Sequence, residues 1–151
     1  MQREQVVPPH CTTEQTRLWV QEHCWLHDLF RSPLNTFPKF RFPDLLGACV
    51  SLALSTPQTQ QVLVAFLATE LALRAPKGEF RSCDIWSAQF DQLMSARGAP
   101  WNRFPNPMFE LEHIASACVA VASREPFGPQ AVLDRARENF VQRSRAQNPA
   151  N

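Results

Sequence analysis

The sequence predicts a mainly α-helical protein that contains one short, two-stranded antiparallel ribbon. Three observations lead to this fold class: an internal repeat, a short stretch in which basic and apolar residues alternate, and several longer stretches with apolar residues at helical spacing. The chain has 151 residues, of which 44% are hydrophobic and 19% are charged. This composition suits one compact core built from two similar halves rather than a disordered chain.

The internal repeat emerges when the chain is slid along itself by 69 positions. Residues 36–57 then lie over residues 105–126 without a gap, and seven of the 22 aligned positions are identical. The identical pairs are Pro38 with Pro107, Phe40 with Phe109, Ala48 with Ala117, Cys49 with Cys118, Val50 with Val119, Ala53 with Ala122, and Pro57 with Pro126. Agreement across a strand, a helix and a helix breaker predicts two copies of one structural unit.

A short strand is predicted at the start of each copy, over residues 37–42 and 106–112. In the first of these, basic and apolar residues alternate, which is the period of a strand with one buried face. The two strands are predicted to pair with each other, because an isolated strand leaves its backbone groups without partners. The residues expected on the outer face of this pair are Phe37, Lys39, Arg41, Met108 and Glu110.

Helices are predicted on both sides of these strands. Apolar spacing indicates an N-terminal helix that begins near Thr12-Thr13-Glu14-Gln15, where the sequence resembles a capping signal, and ends near Arg31. A linker helix is expected over 83–97. The predicted organisation is therefore an N-terminal tail and helix (1–35), a first strand-helix-helix copy (36–75), a linker with its helix (76–104), a second copy (105–146) and a tail (147–151).

The strand-to-helix transition Pro38-Lys39-Phe40-Arg41-Phe42-Pro43 resembles that of the ribbon-helix-helix (Arc/MetJ-type) superfamily of DNA-binding proteins. The resemblance covers residues 36–74 and 105–145, in which a short strand, a three-turn helix, a break and a longer helix follow in the order of that family. Two copies on one chain are similar to the VirC-operon family of proteins, which assist T-DNA transfer. The resemblance implies a tandem pseudo-dimer whose ribbon enters the major groove of double-stranded DNA.

The resemblance also implies roles for particular residues. The outer residues of the ribbon would contact base edges, and the second helix of each copy would aim its N-terminus at a phosphate. The candidate phosphate contacts are Thr56, Gln58 and Thr59 in the first copy and Phe127 and Gly128 in the second. Plainer alternatives stay open, since Lys39 and Arg41 also suit a solvated edge strand, Thr56 suits an ordinary helix cap, and Glu110 suits a solvent or ion-pair role.

The predicted function is sequence-specific binding of double-stranded DNA without catalysis, as a bacterial transcriptional regulator or as an accessory protein in plasmid partition or DNA transfer. The alternative is a helical protein–protein interaction adaptor whose surplus tryptophans form a partner surface. The formal net charge of only +1 is a weak electrostatic basis for binding nucleic acid. One chain supplies both strands of the ribbon, so self-association is not required.

Composition argues against several other classes of function. The absence of tyrosine excludes a tyrosine recombinase or relaxase, and no glycine-rich phosphate loop is present. No cofactor or metal is expected, because His23 and His27 lie one helical turn apart without a well-defined third ligand. The five cysteines include no CxxC pair, and no apolar run is long enough to span a bilayer, which together favour a cytoplasmic protein without a membrane partner.

Overall fold

The fold of residues 12–74, 79–103 and 108–147 is described by a computed structural model. These residues form six α-helices and one two-stranded sheet. In chain order the elements are β1 (Thr13–Trp19), α1 (Val20–Arg31), α2 (Phe42–Ala53), α3 (Pro57–Arg74), β2 (Phe80–Trp86), α4 (Ser87–Arg97), a 3-10 turn (Pro100–Asn102), α5 (Leu111–Ala122) and α6 (Pro129–Gln147). A strand followed by three helices therefore occurs twice, and the predicted fold class of helices with one antiparallel ribbon is confirmed at this level.

The ribbon is formed by β1 and β2, which run antiparallel with Thr13 opposite Trp86 and Trp19 opposite Phe80. The pairing continues one step beyond each strand. The Val20 amide donates to the Glu79 carbonyl over 2.9 Å, and at the other end the Ser87 amide donates to the carbonyl of the residue before β1 over 2.8 Å. The backbone of two distant segments is thus satisfied by pairing, as short isolated strands require.

The predicted positions of the two strands are wrong. Of the residues in 37–42, those before Phe42 are irregular and Phe42 begins α2. In the second segment, residues 106 and 107 lie outside the described residues, 108–110 are irregular, and Leu111 begins α5. The true strands lie in segments that were assigned to the N-terminal helix and to the linker helix, so α1 and α4 begin later than predicted.

A buried asparagine explains why the mistaken segments have an inward-facing phenylalanine. Asn35 accepts a hydrogen bond from the Phe40 amide (2.8 Å) and donates to the Phe40 carbonyl (3.0 Å). Asn102 makes the same two bonds with Phe109, at 2.7 and 2.9 Å. Each asparagine therefore provides hydrogen-bond partners for the backbone amide and carbonyl of a loop that leads into a helix. The phenylalanine is buried there without belonging to a sheet.

The central helices α2 and α5 form the middle of the core and pack against each other. They begin at Phe42 and Leu111, which are 69 positions apart, as the internal repeat predicts. Leu45 and Ile114 are fully buried, and burial of side chains of this size stabilises a fold by about 1.5–3 kcal/mol each. The apolar pattern of the sequence thus located these helices correctly.

The two halves exchange their packing partners. Helix α2 of the first half packs on β2 and α6 of the second half, and α5 of the second half packs on β1 and α3 of the first. Neither half has a core of its own, because the central helix of each is covered by elements of the other. In the part of the chain that the structure describes, no helix is long and apolar enough to cross a membrane.

Candidate nucleic-acid interface

The β1–β2 ribbon has one buried and one exposed face at its centre. Thr16, Leu18 and Ile85 are buried, whereas the residues on the other face are exposed. Side chains directly opposite each other in antiparallel strands lie on the same face. The exposed face therefore presents two facing pairs, Gln15 with Asp84 and Arg17 with Ser82. We call these four side chains the outer face of the ribbon.

Tryptophans anchor both ends of the ribbon. Trp19, at the end of β1, is only 2% exposed, and the Arg74 guanidinium lies 4.4 Å from its ring centroid. Trp86, at the end of β2, has the Arg143 guanidinium 4.5 Å from its ring centroid. Helices α3 and α6 supply these arginines, so their C-terminal ends hold the two ends of the ribbon in the same way.

Arg17 is held in place on the outer face but remains accessible. Its Nη2 donates to Glu112 Oε1 over 3.1 Å, and its guanidinium lies 5.3 Å from the ring centroid of Phe80. Its side chain is nevertheless 55% exposed. A guanidinium that is both oriented and open can donate two parallel hydrogen bonds to a planar acceptor.

A cavity of about 280 Å³ lies beside the ribbon, at the N-terminus of α2. We call it the Trp86 cleft; its lining residues are Pro38, Lys39, Phe40, Arg41, Asp44, Trp86, Phe140, Arg143 and Ser144. Asp44 organises one wall, because its Oδ1 accepts from Trp86 Nε1 over 2.7 Å and from Arg143 Nη2 over 2.8 Å. Its Oδ2 accepts from the Arg41 amide over 2.8 Å. The carboxylate thus joins β2, α6 and the start of α2.

Two further cations of the Trp86 cleft have no acidic partner among the described residues. Lys39 and Arg41 are exposed, and neither takes part in a salt bridge among the described residues. The Lys39 ammonium lies 5.0 Å from the Phe30 ring centroid and the Arg41 guanidinium 5.5 Å from that of Trp86. Since Asp44 and Arg143 neutralise each other, the cleft keeps a positive charge next to the positive end of a helix dipole.

The equivalent position in the second half, at the N-terminus of α5, differs in charge. Met108 and Glu110 stand where the first half has Lys39 and Arg41, and Glu110 Oε2 accepts from Arg97 Nε over 3.3 Å. The Glu110 amide donates to Nδ1 of His113 over 3.2 Å, as the Arg41 amide does to Asp44. Burial lowers the pKa of His113, against the opposing effect of two nearby glutamates.

The sequence-predicted site residues are divided between two places. Lys39 and Arg41 lie in the Trp86 cleft, the exposed Phe37 precedes them, and Met108 and Glu110 lie at the equivalent position of the second half. None of these five belongs to the ribbon, because the segments that hold them lead into α2 and α5 rather than forming strands.

The predicted phosphate contacts lie beyond the C-terminal ends of the central helices, whereas the ribbon lies near their N-terminal ends. Helix α2 has 12 residues, a length of about 18 Å, so Thr56, Gln58 and Thr59 are far from the end that touches Trp86. Thr56 Oγ1 accepts from the Thr59 amide over 3.1 Å, which is the plain capping role. Phe127 and Gly128 follow α5 in the same way, and the Gly128 amide donates to a carbonyl at the end of that helix. The structure does not bring these residues to the ribbon.

Sequence reasoning missed the outer face of the ribbon and the aromatic wall of the cleft. The missed residues are Gln15, Arg17, Ser82, Asp84 and Trp86. A comparison at an offset of 67 would have indicated the strands, since it pairs Trp19 with Trp86 and Leu18 with Ile85.

Comparison with protein-family models, with curated proteins and with solved structures finds no match to this chain. Within the described ranges, no group of three or more histidine, cysteine, aspartate or glutamate side chains is placed to hold a metal ion.

Proposed function

We propose that this protein binds double-stranded DNA as a tandem ribbon-helix-helix pseudo-dimer, with the β1–β2 ribbon in the major groove. The observation that carries the proposal is the outer face of the ribbon, where four polar side chains lie exposed on two paired strands. A two-stranded ribbon fits the major groove, in which every base pair presents a distinct pattern of donors and acceptors.

The four side chains suit the reading of bases. Arg17 can donate to guanine O6 and N7, Gln15 can bond the N6 and N7 edge of adenine, and Asp84 can accept from cytosine N4. Ser82 can serve as donor or acceptor. The contacts first expected from Lys39 and Arg41 on a strand are therefore assigned to other residues, and those two cations are assigned to the phosphate backbone.

The Trp86 cleft supports this division of roles. It lies at the end of β2, so a duplex seated on the ribbon brings its backbone near Lys39 and Arg41. Phosphate contacts hold a protein in position on DNA, whereas base contacts give specificity. Because the formal net charge is only +1, much of the specific affinity has to come from base contacts. The same resemblance to the family extends the proposal to a bacterial transcriptional regulator or an accessory protein in plasmid partition or DNA transfer.

Two variants test the proposal on duplexes selected from a library with a random centre. Gln15→Ala with Arg17→Ala should weaken binding to the selected duplex by about 5-fold to 150-fold per lost base contact and relax its sequence preference. Lys39→Ala with Arg41→Ala should weaken binding to all duplexes alike and reduce the slope of log K against log salt by about two. Gel shifts and fluorescence anisotropy over a range of salt measure both.

A matched control removes two positive charges from the other end of the molecule. Arg124 follows α5 and Arg135 lies in the first half of α6, so Arg124→Ala with Arg135→Ala should leave affinity and salt slope nearly unchanged. Helicity by circular dichroism should match the unchanged protein in all three variants. Normal sequence preference in the Gln15 and Arg17 double variant would show that the ribbon does not read DNA.

An interaction adaptor is the second candidate, and it is favoured by exposed apolar side chains. Phe37 is 91% exposed and Leu73 is 79% exposed, which is unusual for large apolar residues. This function predicts that no duplex is selected from the library at any salt concentration.

A further inference from the structure

The two halves of the fold are alike in structure but not in charge. A twofold rotation about the middle of the ribbon brings the N-terminus of α2 onto the N-terminus of α5. It replaces Lys39 with Met108 and Arg41 with Glu110. On the outer face of the ribbon it replaces Arg17 with Asp84, which exchanges a donor for an acceptor.

The N-terminus of α2 with the segment before it (the α2 flank) and the N-terminus of α5 with the segment before it (the α5 flank) also differ in how many cations are open to a ligand. At the α2 flank, Lys39 and Arg41 have no carboxylate partner among the described residues. At the α5 flank, Arg97 is paired with Glu110 at 3.3 Å. Lys39 and Arg41 are therefore open to phosphates, whereas the equivalent positions of the α5 flank, Met108 and Glu110, carry no positive charge.

We infer that the protein binds its duplex in one fixed orientation, with phosphate contacts from Lys39 and Arg41 on the α2 flank and none from Met108 and Glu110 on the α5 flank. This inference rests on the proposed function and deepens it, since it specifies the class of DNA. The bound sites are non-palindromic, and the contacted backbone extends further past the base-reading region on one side than on the other. A duplex turned end for end presents the same phosphates, because its two backbones are related by twofold symmetry, but it places an acceptor of a base next to Asp84.

The orientation is set by the base contacts. A reversed duplex keeps its phosphates near Lys39 and Arg41 but loses the base contact of Arg17, and each lost bidentate base contact reduces affinity by about 5-fold to 150-fold. A palindromic site satisfies only half of the ribbon in either orientation. Selection from random duplexes should therefore return sites without twofold symmetry.

Ethylation interference on a selected duplex tests the inference, because an ethylated phosphate can no longer accept a contact from a cation. The unchanged protein should show interference on both sides of the base-reading region but extending outward on one side only. Lys39→Ala with Arg41→Ala should abolish this one-sided extension. Met108→Lys with Glu110→Gln should create a matching extension on the other side and raise the salt slope by about one.

The control variant Arg124→Ala with Arg135→Ala should keep the one-sided pattern. A symmetric pattern in the unchanged protein overturns the inference and leaves DNA binding in place. A one-sided pattern that survives in the Lys39 and Arg41 double variant overturns the assignment of the α2 flank. Failure to select any duplex overturns the proposed function itself, so the two failures are distinct. Should the Met108 and Glu110 double variant not fold, the Lys39 and Arg41 variant still decides the matter, because both of its side chains are exposed.

Discussion

Equivalent residues at the start of α2 and α5 accept the same backbone hydrogen bond with chemically different side chains. Asp44 Oδ2 and His113 Nδ1 each accept the amide of the residue three positions earlier. A carboxylate accepts a hydrogen bond at neutral pH, but an imidazole nitrogen accepts only while it is unprotonated. The start of α5 therefore depends on pH in a way that the start of α2 does not.

The stability of the protein should fall as the pH is lowered below about 7, in part through His113. Burial lowers the pKa of His113 below its ordinary value of 6.5, although Glu112 and Glu110 oppose the shift. The unfolded chain then takes up a proton near pH 6.5 and the folded chain does so only at lower pH, so stability is lost between these two values. His113→Asn, whose amide oxygen can accept the same bond without titrating, should make urea midpoints less dependent on pH over this window.

Part of the pH dependence should remain in that variant. The pKa of His23 is also lowered, first by burial and then by the nearby charges of Arg81 and His27. Adding His23→Asn to His113→Asn should flatten the profile further. An unchanged profile in the His113 variant would mean that this side chain is not an acceptor in the folded protein.

At the scale of elements, helices could be predicted from the sequence and strands could not. The central helices have apolar residues on nearly every side, and they begin within two residues of the predicted ends of the strands, at 42 and 112. Strand β1 includes most of the capping-like Thr12-Thr13-Glu14-Gln15 and leads directly into α1, so its local sequence favours a helix. Only its pairing with a segment 67 residues away makes it a strand, and no local pattern contains that information.

Only one part of the repeat was found from the sequence, because the spacing between equivalent residues changes along the chain. Val20 and Ser87, which begin α1 and α4, are 67 positions apart, whereas Phe42 and Leu111 are 69 apart. A comparison without gaps finds one spacing and misses the other. Lys39 and Arg41 were accordingly identified as basic candidates but on a strand that does not exist, while Arg17 was assigned to a helix and overlooked.

The observed register of the ribbon predicts which pair of introduced cysteines, one in each strand, can form a disulfide. The bond from Val20 to Glu79 makes every second pair of residues hydrogen-bonded, and Gln15 with Asp84 falls between two such pairs. Residues in that position have Cα atoms about 4.5 Å apart, which suits a disulfide. Gln15→Cys with Asp84→Cys should therefore crosslink under mild oxidation, as measured by mass spectrometry after alkylation.

The control pair for this experiment is Gln15→Cys with Arg81→Cys. Arg81 lies opposite Leu18 and on the other face of the ribbon, so this pair should remain reduced. Equal crosslinking of both pairs would contradict the register, and crosslinking of neither would contradict the pairing of β1 with β2.

The whole molecule depends on the exchange of packing partners between its halves. Leu45 and Ile114 are fully buried, and each belongs to a helix that lies under a strand of the opposite half. Removing one half would expose the central helix of the other and leave its strand without a partner. A chain of half this length also buries a smaller share of its surface than the whole protein does.

A cut between Lys77 and Gly78 should therefore give two fragments that fold only together. Each fragment alone should show little helical signal and no cooperative thermal transition, since α2 lacks β2 and α6 while α5 lacks β1 and α3. Mixing the two in equal amounts should restore helicity and a cooperative transition whose midpoint rises with concentration, as expected for a fold that requires association. Circular dichroism with the intact chain as reference measures both signals. A fragment that melts cooperatively alone would show that one half has an independent core. The asymmetric duplex contacts proposed above would then have to arise from two separate units rather than from one continuous ribbon.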